Sequence, residues 1–170
     1  MKLPLLASAA FALSAAPALA ADLRVDIEVP RLSAAEYHAP YVAVWIENPD
    51  QTAVGTLSVW YDVDLRNNEG LTWLADMRTW WRKSGRTLTL PADGVSGATR
   101  APGRHSITFR ADNPTLRNLP AGQYNVVVEA ARELGGRELV RVPFTWGGAA
   151  NTASGQGSSE LGAISVAVTR

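Results

Sequence analysis

Three groups of side chains in this sequence are of types that could do chemistry. Glu36, Tyr37 and His38 stand side by side, with Tyr41 three residues on. Carboxylate, phenol and imidazole together can ligate iron, and one His or Tyr can serve as an axial ligand to haem. The same residues could instead be solvated in a loop or packed at the start of a strand. The second group is Trp73, Met77, Trp80 and Trp81, in a stretch that also carries Arg78, Arg82 and Arg86. A flat aromatic surface can receive haem, a flavin ring or a partner protein, and guanidinium groups can meet propionates or phosphates. The alternative is that these rings pack onto the protein's own core. The third group is the turn-rich run 97–103 with Arg100 at its centre. Such turns can present backbone N–H groups to an anion, or can be structural, with Arg100 paired to Glu47 or Glu129.

Catalytic chemistry finds little to stand on. There is no Cys, and of the two His, His105 alternates with Ile107 and Phe109 and reads as a hydrogen-bonded core histidine. No Gly-x-Ser-x-Gly elbow and no phosphate-binding glycine loop occur. Sixteen acidic residues give no pair that spacing alone would single out for glycoside cleavage. A non-catalytic protein is expected. Sixteen basic residues balance the acids with no basic run, which argues against a nucleic-acid partner.

The elements that must hold these groups are mostly strands. In 41–47, Tyr41, Ala43 and Trp45 point one way and Val42, Val44 and Ile46 the other. Both faces are apolar, so this strand is central and buried on both sides. Leu23, Val25, Ile27 and Val29 alternate with polar residues, as in a strand with one wet face. A strand over 56–63 places Leu57, Val59, Tyr61 and Val63 on the core side and Trp60 opposite. Residues 71–83 break this rhythm, and their aromatic residues recur at helical spacing, which predicts one short amphipathic helix. Adjacent Trp80 and Trp81 would point about 100° apart on it. A short edge strand is expected near 87–90. Strands follow at 104–110, 123–132 and 138–145, with a hairpin turn at 134–137. Glu129, Arg132, Glu133, Arg137 and Glu138 are expected to pair across that hairpin on the surface. Residues 147–159 are rich in Gly, Ala, Ser and Thr and read as a flexible loop before a last strand at 161–168.

The N-terminus has Lys2, a short apolar Ala-rich stretch and the small-x-small end Ala18-Leu19-Ala20. This is the pattern of a secretory signal peptide, with cleavage expected after Ala20 and delivery to the periplasm. The apolar run is too short to span a bilayer. About 150 residues remain, enough for one domain covering 21–170. The count of strands fits an all-β, immunoglobulin-like sandwich of seven to eight strands with one helical insertion at 71–83.

Four stretches, 41–47, 97–103, 119–124 running into 128–133, and 160–166, together resemble a bacterial family of predicted periplasmic proteins classed as a domain of unknown function. The run Pro120-Ala121-Gly122-Gln123-Tyr124 is similar to the start of a hairpin in many immunoglobulin-like modules. The resemblance implies a genomic setting near PepSY-domain membrane proteins, flavin transferases and iron–siderophore receptors. It therefore implies an accessory role in iron or haem handling, or in flavin-linked electron transfer outside the cytoplasm, with an inner-membrane PepSY-type protein as a partner. It supplies no catalytic residues. The resulting expectation is a monomeric periplasmic binding or accessory protein without a transmembrane segment in its mature part. Trp73, Arg78, Trp80, Trp81 and Arg100 are its candidate ligand contacts, and Glu36, Tyr37 and His38 its candidate metal or haem ligands. The alternatives are a module that docks on a membrane partner through the Trp-rich helix, and an unrecognised enzyme.

Overall fold

A computed structural model describes residues 21–169; the expected signal peptide, residues 1–20, lies outside the described residues. Nine strands form two sheets: β1 (Asp22–Val29), β2 (Tyr41–Glu47), β3 (Ala53–Tyr61), β4 (Ser96–Ala98), β5 (Gly103–Phe109), β6 (Gly122–Ala131), β7 (Arg137–Trp146), β8 (Asn151–Gln156) and β9 (Ala163–Thr169). One sheet has the order β5-β1-β9-β8 and the other β4-β3-β2-β6-β7. All neighbours are antiparallel except β3 and β4. The inner faces pack together through Leu23, Val25, Ile27, Val42, Val44, Ile46, Val126, Val128, Val142 and Ile164. The expected all-β sandwich is therefore present.

Strand β2 explains why the molecule has a third layer. Every residue of β2 is buried. Val42, Val44 and Ile46 belong to the core between the sheets. Tyr41, Ala43 and Trp45 belong to a second core on the outer face of the five-stranded sheet, with Val59, Tyr61, Val127, Leu74, Met77 and Trp80. The chain between β3 and β4 covers that outer face.

This cover is not the single helix expected over 71–83. Residues Arg66–Asp76 run in 3₁₀ turns, the backbone breaks at Met77 (φ −76°, ψ 70°), and only Arg78–Lys83 is α-helical (α1). The cause lies on β6. Glu129, fully buried, accepts hydrogen bonds from the backbone N–H groups of Thr79 (3.1 Å) and Trp80 (2.7 Å). In a continuous helix those groups would donate to the carbonyls of Ala75 and Asp76. The carboxylate takes them instead and caps a new helix start. Arg137 pairs with the same carboxylate at 2.6 Å. At the other end of α1, Lys83 reaches Glu47, also fully buried, at 2.5 Å. Glu47 receives Arg141 (2.8 Å) and the Trp45 indole N–H (3.1 Å) as well. Burial alone would push the Glu47 carboxyl up, but the Arg141, Lys83 and Trp45 bonds hold it below its ordinary value.

Other expectations need correction. The strand β3 carries a bulge, because Val44 faces Ser58 while Trp45 faces Thr56. Leu57 and Trp60 consequently share the inner face, and Val59 and Tyr61 the outer one. Residues 87–90 form no strand. Within 147–159, residues Asn151–Gln156 form β8, paired with β9. Their small side chains serve close packing: a Cβ on Gly155 would stand 2.9 Å from both Val140 and Val142. The turn after β8 is organised by Glu138, whose carboxylate accepts from the backbone N–H groups of Ser158 (2.6 Å), Ser159 (3.0 Å) and Leu161 (2.9 Å). Glu129 pairs across the hairpin with Arg137, as expected, but from full burial rather than on the surface, and Glu138 is a structural acceptor for the turn after β8.

These anchors yield three predictions. Trp80 is fully buried and its indole donates to Thr56 at 3.0 Å, so Trp80→Ala should cost about 3–5 kcal/mol in chemical denaturation. Glu129→Ala, which strips two buried N–H groups of their acceptor, should cost about 2–3 kcal/mol in the same assay. The third concerns acid. Burial would raise the Glu138 carboxyl, but the N–H groups of Ser158, Leu161 and Ser159 hold it down to about 2, against an ordinary 4.5. A carboxyl held lower in the folded state stabilises it fully above its unfolded value, and that contribution fades as pH falls from about 4.5 towards about 2. Thermal unfolding across that range should therefore be steeper in pH for the wild type than for Glu138→Gln.

Candidate functional site

At the end of the five-stranded sheet where β2 begins, four segments converge. The loop before β2 brings Tyr37, His38 and Ala39, and the residue after β3 is Asp62. The 3₁₀ segment brings Trp73 and Asp76, and the β6–β7 turn brings Arg132 and Glu133. With the paired strand residues Tyr41 and Ala131 they enclose a pocket of about 240 Å³. A cleft of about 290 Å³ adjoins it, sharing Asp76, Ala131 and Arg132 and adding Arg78 and Arg137.

Arg132 is the fixed point of this pocket. Its Nε and Nη2 donate to the two oxygens of Glu160 at 2.8 and 3.1 Å, and the side chains are only 9% and 5% exposed. Gly136 N–H adds a bond to the same carboxylate at 2.7 Å. The hairpin turn at 134–137 forms as expected, and its glycines make room for this ion pair: a Cβ on Gly135 would come within 2.5 Å of Arg132 Cζ and one on Gly136 within 2.8 Å of Glu160 Oε1. The third guanidinium nitrogen, Nη1, is buried with no hydrogen-bond partner among the described residues.

Two more buried polar atoms without a hydrogen-bond partner among the described residues belong to residues of the same pocket, Tyr37 Oη and His38 Nε2. The Tyr37 ring lies 5.9 Å from the Arg132 guanidinium carbon, and burial pushes its hydroxyl above the ordinary phenol value. Tyr41 donates to the Gly70 carbonyl at 3.1 Å, and burial pushes its hydroxyl up to about 12. On the opposite side, Asp62 accepts from Thr99 at 3.2 Å. Asp76 is exposed and makes no ion pair or side-chain hydrogen bond among the described residues. Trp73, 38% exposed, stands beside both acids.

The residues singled out from sequence fare unequally. Tyr37 and His38 line the pocket, and Glu36 pairs with His38 Nε2 at 3.3 Å. Glu133, not foreseen, stands 3.6 Å from His38 Nδ1. The two carboxylates flank opposite ring nitrogens, so they do not converge on one ion with the imidazole. Among the described residues no group of three or more His, Asp or Glu side chains is arranged to hold a metal. Trp73 and Arg78 fall where a ligand could meet them. Trp80 does not, because it is wholly inside the outer core. Trp81 is half-buried against Trp80, with ring centroids 6.2 Å apart, and both indoles close on Gly85. Arg100 belongs elsewhere: its guanidinium lies 4.2 Å over the Trp60 ring, which His105 meets edge-on at 5.9 Å. Glu47 and Glu129, the partners expected for Arg100, are held by other cations. His105 is hydrogen-bonded, to the Ala101 carbonyl at 2.8 Å, but it is only half-buried and lies outside the core in which it was expected.

Sequence reasoning missed Asp62, Asp76 and Arg132 as pocket residues. The usable signal was the pair Gly135-Gly136 just after Arg132, since adjacent glycines make room for a bulky group laid across a turn.

No helix among the described residues is long and apolar enough to cross a membrane. No curated protein and no solved structure matches the chain. A family model described as "Predicted periplasmic protein (DUF2271)" matches residues 22–163, which is nearly all of the sandwich. The chain belongs to this family of predicted periplasmic proteins of unknown function.

Proposed function

We propose that the protein is a non-catalytic periplasmic binding or accessory protein, and that its ligand seats in the pocket between Tyr37, Trp73 and Arg132. One observation carries this reading. Four buried side-chain polar atoms lack a hydrogen-bond partner among the described residues, and three of them belong to residues lining this one pocket: Tyr37 Oη, Arg132 Nη1 and His38 Nε2, the last with only the Glu36 carboxylate 3.3 Å away. Leaving a buried donor unmatched costs about 1–3 kcal/mol, and such a concentration is what a site that completes its hydrogen bonds with a ligand requires. The volume of about 240 Å³ lies just under the usual range for small-molecule sites, roughly 300–1,000 Å³. It suits a compact ligand better than the haem macrocycle or a flavin ring system.

A second reading has its own support. Among the described residues the exposed large apolar side chains are Val54, Val63, Leu65, Trp73 and Leu134. All but Val54 sit on the segments that lead into the pocket, and Leu134, at the tip of the β6–β7 turn, is 78% exposed. Apolar residues gathered at one end suit docking on a membrane partner, with Trp73 and Leu134 in the role expected of the Trp-rich helix.

A thermal-shift panel separates the two readings. It should include haem, ferric ion, flavin mononucleotide, small carboxylates and amino acids, so that the iron, haem and flavin settings implied by resemblance are tested alongside. A ligand at a hundredfold excess over its Kd should raise Tm by about 5–10 °C, and Trp73→Ala or Tyr37→Phe should reduce that shift. No shift with any compound would overturn the binding reading. Site-specific crosslinking from position 134 to an inner-membrane protein would then favour docking.

A further inference from the structure

The pocket has two chemically distinct walls. One carries donors without acceptors. Arg132 Nη1 belongs to a side chain only 9% exposed, already fixed by its two bonds to Glu160, and the Tyr37 ring, its Oη buried, lies 5.9 Å from the guanidinium carbon. A carboxylate satisfies such a pair, since it accepts at both oxygens and prefers a charged planar donor. The other wall carries acceptors without cations. Asp62 accepts from the Thr99 hydroxyl and lies against the Tyr41 hydroxyl, and among the described residues neither Asp62 nor Asp76 has an ion pair. Trp73 stands beside both, and an indole face attracts an ammonium group.

The sheet sets the distance between the walls. Asp62 follows β3 and Arg132 follows β6, and these strands flank β2 on either side. Two strand spacings amount to about 10 Å between backbones, a gap that two side chains and one short ligand bridge. A volume of about 240 Å³ equals the liquid share of about eight water molecules. Tyr37, Tyr41 and Trp73 supply the apolar contact.

Resting on the binding reading above, we propose that this pocket takes a small zwitterion of the amino-acid class with an apolar or aromatic side chain. Its carboxylate is held by Arg132 Nη1 and Tyr37 Oη, and its ammonium faces Asp62 and Asp76 beside Trp73.

Calorimetric titration of the protein with the twenty protein amino acids tests this. The tightest binder is then compared with its decarboxylated amine and its deaminated acid. The expected result is that each one-charge analogue binds at least tenfold more weakly. Asp76→Asn should weaken the amino acid about tenfold and leave the deaminated acid unchanged. Tyr37→Phe, which removes only a hydroxyl, should weaken the amino acid and the acid alike but not the amine. Circular dichroism checks that both variants are folded. If the deaminated acid binds as tightly as the amino acid and Asp76→Asn changes nothing, the zwitterion is overturned while the binding site stands. If no amino acid binds but another member of the thermal-shift panel does, and Trp73→Ala abolishes that binding, the ligand class is again overturned and the site again stands. If nothing in either set binds, both the ligand class and the binding reading fall.

Discussion

Two buried carboxylates, Glu47 on β2 and Glu129 on β6, hold the outer layer of this molecule in place. A lone carboxylate at full burial would be strongly destabilising, and each is instead surrounded by donors. Glu129 takes the first N–H groups of α1 and the Arg137 guanidinium. Glu47 takes Lys83 from the far end of the same helix, together with Arg141 and Trp45. A helix of six residues has almost no stability of its own. It exists here because the sheet presents an anion to its start and another to the cation at its end, with Trp80 packed between. The placement of Trp73 and Asp76 one turn upstream depends on that anchoring, and so does one wall of the pocket.

The pocket sits where it does because strands stop there. At the start of β2 and the ends of β3 and β6, backbone groups leave the ladder and the chain must turn, so side chains converge that the sheet would otherwise keep apart. Rigidity comes from beneath, through the pairing of Tyr41 with Ala131. The Arg132–Glu160 pair ties the β6–β7 turn to the chain just before β9.

Much of this was legible in local pattern. The two apolar faces of 41–47 announced a central strand, and they also implied a second covering layer, because an apolar outer face cannot be left to water. The alternation in 22–29 and the turn at 134–137 were equally plain. What escaped was whatever depends on residues distant in the chain. The break at Met77 is imposed by Glu129, 52 positions later (129 − 77). The Arg132–Glu160 pair joins residues 28 apart. Strand β8 escaped for a different reason: small residues signal flexibility to a reader of composition, whereas here Gly155 is small because Val140 and Val142 leave no room for more. The bulge at Leu57 put Trp60 on the inner face, and a strict period of two has no way to register an extra residue. Trp80 was misassigned to a ligand because its indole N–H finds Thr56 inside the protein, a partner visible only in three dimensions.

The helical cover meets the sheet through side chains, whereas the sheets themselves are joined strand to strand by backbone ladders. These are different kinds of attachment, and they come apart differently. A cover attached through side chains can open locally before strands that are laddered to one another. Trp73 and Asp76 travel with it; Arg132 and Tyr41 stay behind. Anything that bridges the two sets bolts the cover down, so occupancy of the pocket would be felt as slower amide exchange along Arg78–Lys83, a helix that the occupant need not touch.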